Sequence, residues 1–168
     1  DAVKLDDAAL IVARPGEVGY ILLNKSVTLG EKGDHESSLR ALERADQEID
    51  GEHQPRLLFG ARFNRAANLT RLGRADEAEP IVAQVRQLAE RLRNDLDLVK
   101  ILWLEGNTLA GLGRRVDAVV ALEQVGRDLA HRELPFDYAL ASLDLALVYH
   151  KEGRLGEVRQ LAAGDEDQ

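Results

Sequence analysis

Thirty acidic residues, 22 basic residues, four histidines and no cysteine bound the chemistry open to this 168-residue chain. Without cysteine there is no disulfide, no thiolate metal site and no cysteine nucleophile. His35, His53, His131 and His150 share no metal-like spacing, and none forms a zinc pattern with a nearby carboxylate. No metal and no cofactor is therefore expected. Gly111-Leu-Gly113 follows a helical pattern rather than a strand and lacks a third glycine, so it is no phosphate loop. An acid–base site would have to bring Glu31 to Asp144 and His150, which lie in a different repeat. Most other carboxylates precede a base by one helical turn, as in Glu36/Arg40, Glu123/Arg127 and Asp128/Arg132, which suits a solvated, self-supporting helix face. No enzyme is expected. The polar residues that do suggest recognition are Asn24 and Asn64, 40 residues apart, with Asn107 extending the row. A side-chain amide offers both donor and acceptor, so such a ladder suits a peptide backbone.

The spacing of the asparagines is the spacing of the whole chain. Gly33, Gly73, Gly113 and Gly153 stand 40 apart, and three of the four prolines, Pro15, Pro55 and Pro135, fall in the same frame, with Asp95 in the fourth slot. Ten residues before each glycine come Leu23, Phe63, Trp103 and Leu143. Seven before come Ser26, Ala66, Gly106 and Ala146, and four before come Leu29, Leu69, Leu109 and Tyr149. After the glycine, Ser38, Ala78, Ala118 and Val158 lead into Leu42, Val82, Leu122 and Ala162. Steps of three and four mark helices with one apolar face. Each unit reads as helix A, from the proline slot to the glycine turn, then helix B. The spans are 1–13, 17–31, 35–51, 55–72, 75–92, 95–112, 115–132, 135–152 and 155–163. Proline fits the first helical turn and glycine the turn that ends it; Pro80, inside the fifth helix, should weaken or bend its start. The repeats are about 15–54, 55–94, 95–134 and 135–163, after a partial repeat at 1–14, with an acidic tail at 164–168.

The pattern small-x-x-large, glycine, Ala-x-x-x-large resembles the tetratricopeptide repeat (TPR) in a long-unit, bacterial form. It is clearest in Asn64–Ala78 and in Trp103–Arg114 continuing to Ala118. The unit is longer than the roughly 34 residues of that family. The family's tryptophan position holds Leu22, Arg62, Leu102 and Ser142. The resemblance implies an all-α fold, a right-handed α-solenoid of stacked antiparallel helix pairs with about nine helices. It also implies a protein or peptide partner held on the concave helix-A surface. Carried over position by position, the candidate partner-binding residues are Tyr20, Asn24, Asn64, Arg71, Lys100, Asn107, Asp144 and Lys151. The apolar column of Phe63 and Trp103 favours packing between helices over ligand anchoring.

The formal charge of −8 argues against a nucleic-acid surface. No apolar run is long enough to cross a membrane, and no secretory leader is evident, so a cytoplasmic location is expected. The chain starts at Asp1 and contains no methionine, which suggests a processed chain or a piece of a longer one. The leading expectation is a non-enzymatic interaction scaffold. The alternatives are a sensing region of a larger bacterial signalling or transcription-regulator protein, and a module that self-associates through open solenoid ends.

Overall fold

The computed structural model describes residues 2–14 and 16–163, so the acidic tail at 164–168 lies outside the described residues. Every element among them is a helix: α1 (Ala2–Val12), α2 (Val18–Glu31), α3 (His35–Glu48), α4 (Pro55–Arg71), α5 (Ala75–Leu92), α6 (Asp95–Gly111), α7 (Arg115–His131), α8 (Pro135–Lys151) and α9 (Leu155–Ala163). They form two compact units, residues 1–94 with α1–α5 and residues 95–168 with α6–α9. Within each unit consecutive helices pack on one another, and successive A helices also touch, α2 on α4 and α6 on α8. This is the stacked-hairpin arrangement of a TPR-type α-solenoid.

The A-to-B turns repeat in geometry as well as in sequence. Gly33, Gly73, Gly113 and Gly153 have φ of +79°, +74°, +78° and +73°, a backbone region that costs glycine nothing. One residue later, the N–H groups of Asp34, Arg74, Arg114 and Arg154 each close back on the carbonyls of Leu29, Leu69, Leu109 and Tyr149 at 2.9 Å. That bond satisfies a carbonyl left over at the helix end. Pro55 and Pro135 open α4 and α8, and Asp95 opens α6.

The small column sits where helix A crosses helix B. Ser26 and Ala66 are almost completely buried, against Ser38, Ala78 and Ala118 in the facing column. At Gly106 the approach is tight: a Cβ there would lie 2.8 Å from Leu122 Cγ and 2.9 Å from Cδ2. In the second unit one core gathers Ala118, Leu122, Leu145, Val148 and Tyr149, and another gathers Val99, Val125, Leu129 and Ala141; Trp103 packs against both.

Four expectations need correction. Helix 35–51 stops at Glu48, because Ile49 is extended and Asp50 Oδ1 accepts the N–H groups of Glu52 and His53 at 3.0 and 3.2 Å, turning the chain early. Of the three surface ion pairs, only Glu123–Arg127 forms, at 3.9 Å. Glu36 instead lies 3.6 Å from Arg74, the residue before α5, and Asp128 accepts from Gln124 Nε2 at 2.9 Å. Arg40 donates to Ser37 Oγ at 2.7 Å instead. The column containing Leu23, Phe63 and Trp103 is half-buried, but its fourth member, Leu143, is 62% exposed. Helix α5 runs unbroken through Pro80; the ring deprives only the Asp76 carbonyl of its helical donor.

Candidate functional site

In the first unit the A helices α2 and α4 lie close enough that a Cβ on Gly60 would sit 3.4 Å from Leu23 Cδ2. Beside this contact the two helices carry Asn24 and Asn64 in the same repeat slot. Asn24 is exposed and Asn64 half-buried, and neither side-chain amide has a hydrogen-bond partner among the described residues. Tyr20 and Val27, one turn to either side of Asn24, are 59% and 45% exposed. Arg71, at the end of α4, is exposed. The unit thus presents two free amides, an aromatic ring and a guanidinium on its A helices.

The second unit uses the corresponding positions differently. Asp144 Oδ2 on α8 accepts the Trp103 indole N–H at 2.7 Å and the Asn107 amide at 2.8 Å, both from α6. One carboxylate oxygen therefore ties two A helices together, and the Asn107 amide does not continue the free row of Asn24 and Asn64. Lys100 and Lys151 are exposed. Phe63, in the Trp103 slot, stacks on Phe59 with ring centroids 6.0 Å apart. Both aromatics are packing residues.

Polar contacts also join the B helices to the A helices. Ser38 Oγ donates to the Ser26 carbonyl at 2.7 Å and accepts from Asn68 Nδ2 at 2.9 Å, a buried chain linking α2, α3 and α4. Arg62 Nε donates to Asp46 Oδ1 at 2.6 Å. Lys25 of α2 pairs with Asp7 of α1. Helix B opens on a repeated pair: Arg74 with Glu77, Arg114 with Asp117 and Arg154 with Glu157, where the first repeat has the cap Asp34 with Ser37. The Arg74 guanidinium holds the Glu77 carboxyl below its usual range, as Arg154 does for Glu157 and the Ser37 hydroxyl and N–H do for Asp34. Burial and a 2.6 Å bond to Glu123 push the Tyr149 hydroxyl up to about 12. These Arg–acid pairs were readable at a spacing of three in the 40-residue frame; Asn68 carried no such mark, since polar residues usually face water.

Among the described residues no group of three or more His, Asp or Glu side chains could hold a metal ion, and no helix is long and apolar enough to cross a membrane. Residues 60–84, which run from α4 through the Gly73 turn into α5, match the family model for the tetratricopeptide repeat. That stretch is similar to a TPR unit. No curated protein matches it. TPR repeats generally mediate protein–protein interaction, which supports a scaffold role.

Proposed function

We propose that this TPR-like chain is a non-enzymatic scaffold that binds an extended peptide or protein segment along its A helices. The observation that carries the reading is the pair Asn24 and Asn64: equivalent positions on neighbouring helices, both with amides unpartnered among the described residues, flanked by exposed Tyr20 and Val27. Two such amides one repeat apart match the donors and acceptors of an extended backbone, and an exposed tyrosine supplies an apolar anchor with a polar tip. Arg71 adds a charge for an acidic residue of the partner. In the second unit Lys100 and Lys151 offer similar contacts, while Asn107 and Asp144 position the helices.

The test is selection of a random displayed peptide library on the immobilised chain, followed by calorimetry of the enriched peptides. Two amide–backbone hydrogen bonds at about 1 kcal/mol each make Asn24→Ala/Asn64→Ala weaken binding by tenfold or more. Enriched peptides that bind the double variant as tightly as the wild type would overturn the reading.

Self-association is the second reading, favoured by α8. Phe136, Leu140, Leu143 and Leu147 are 75%, 39%, 62% and 58% exposed and follow one another at steps of four, three and four, along one helix face. Light scattering across concentration decides it: a mass that stays near 18.5 kDa rejects self-association.

A further inference from the structure

The first unit shows how this fold fills the space between two B helices. Arg65 of α4 lies between Glu43 of α3 and Glu77 of α5. Its Nη2 donates to Glu43 Oε1 at 3.2 Å, and its charge adds to that of Arg74 in holding the Glu77 carboxyl low. Eighty residues later the second unit repeats both carboxylates, as Glu123 on α7 and Glu157 on α9, but the position of Arg65 is taken by Leu145. The flanking apolar residues have changed with it: Leu58 and Leu69 correspond to Tyr138 and Tyr149. Where the first unit holds a guanidinium, the second holds an open cleft of about 220 Å³, lined by Glu123, Tyr138, Leu145, Tyr149, Glu157 and Gln160 among others. Drug-sized ligands fill pockets of about 300–1,000 Å³, so this one is scaled to a single side chain.

The cleft is pre-set for a planar cation. The Tyr149 hydroxyl donates to Glu123 Oε1 at 2.6 Å, and Arg127 Nη1 stands 3.9 Å from Glu123 Oε2. Arg154 Nε donates to Glu157 Oε1 at 2.8 Å, and its guanidinium lies 4.4 Å from the centre of the Tyr149 ring. Glu123 Oε2 stays outside any short hydrogen bond among the described residues. Two carboxylates and the exposed Tyr138 ring suit a guanidinium, whose flat fork bonds carboxylates edge-on and stacks on aromatic faces.

We propose that the cleft between α7, α8 and α9 binds the guanidinium of an arginine on a partner polypeptide, the external counterpart of Arg65. This site is separate from the A-helix surface and stands or falls independently of it.

The test titrates the isotope-labelled full chain with N-acetyl-arginine methylamide, and in parallel with the matching citrulline compound, an uncharged isostere, reading amide chemical shifts. The arginine probe is expected to give saturable shifts centred on Tyr138, Tyr149 and Gln160, and the citrulline probe none there. Glu123→Gln keeps an acceptor for the Tyr149 hydroxyl but removes the charge, and is expected to weaken the arginine probe about tenfold. Gln160→Arg, an exposed substitution on α9 that supplies the cation from within, is expected to abolish the shifts of the other cleft residues. Equal shifts from both probes, arginine shifts spread over the acidic surface without a focus in the cleft, or undiminished binding by the Gln160→Arg protein would overturn the proposal.

Discussion

Asp144 is the sharpest point at which a surface-looking residue acts as structure. Its Oδ2 accepts from the Trp103 indole at 2.7 Å and the Asn107 amide at 2.8 Å, and all three side chains are half-buried. A hydrogen bond to a charged group contributes about 1.5–3 kcal/mol net, and partial exposure puts these two at the lower end. In Asp144→Ala, water can replace the partner of Asn107, but the indole N–H has a single donor direction inside two packed clusters. The expected loss is about 2–3 kcal/mol. Asp144→Asn retains an acceptor without the charge and should lose about 1 kcal/mol. Trp103 is the only tryptophan in the chain, so urea unfolding followed by its fluorescence reports on the unit that contains it. In a Trp103→Phe background, where the indole donor is gone and unfolding is followed by far-ultraviolet circular dichroism for all four proteins of the cycle, the cost of Asp144→Ala should shrink by at least about 1 kcal/mol. If Asp144→Ala unfolds within about 0.5 kcal/mol of the wild type, or the two substitutions prove additive, the carboxylate does not tie α6 to α8 and the reasoning fails.

Other outcomes follow from the same packing. Gly106→Ala would drive a Cβ to within 2.8 Å of Leu122 Cγ, at a cost of about 1–2 kcal/mol in denaturant midpoint despite alanine's better helix propensity; Gly156→Ala, with no atom within 4 Å of the new Cβ, should stabilise by about 0.5–1 kcal/mol. Arg93 and Glu133 hold φ of 51° and 56° at the ends of α5 and α7, so Arg93→Gly or Glu133→Gly should raise stability by up to about 1 kcal/mol, where Gly73→Ala should lower it by a similar amount. The carboxyls of Asp34, Asp50, Glu77 and Glu157 are held low by their hydrogen bonds; groups depressed in the folded state stabilise it above their ordinary values, so thermal midpoints should be flat above about pH 5 and fall as pH drops below about 4. Tyr149 is shifted the other way, so its contribution is complete below pH 10 and is lost as pH rises through about 12; Tyr149→Phe should remove the alkaline part of that loss.

What could be read in advance was whatever the backbone geometry demands of a residue type. Four turns at φ near +75° demand glycine, and a helix crossing as close as Gly106 on Leu122 demands a small side chain, so both recur at 40 and were visible as a frame. The ends of α5 and α7 make the same left-handed turn with Arg93 and Glu133, which mark nothing. Asp50 ended α3 by accepting from the backbone N–H groups of Glu52 and His53, a local competition that the apolar period does not register. The candidate site divided along the same line. Asn24 and Asn64 were recognisable because they repeat. The recruitment of Asn107 by Asp144 was hidden, because it joins residues 37 apart on helices whose register only folding sets. The replacement of Arg65 by Leu145 stands in the sequence, yet it means little until Glu123 and Glu157 are seen to flank one cleft.

The most direct test of the account is amide shift mapping of a library-selected peptide on the isotope-labelled chain. The account predicts a continuous track of perturbed residues on α2 and α4 that includes Tyr20, Asn24, Val27 and Asn64. Perturbations confined to the B helices α3 and α5, leaving those four residues unmoved, would contradict it.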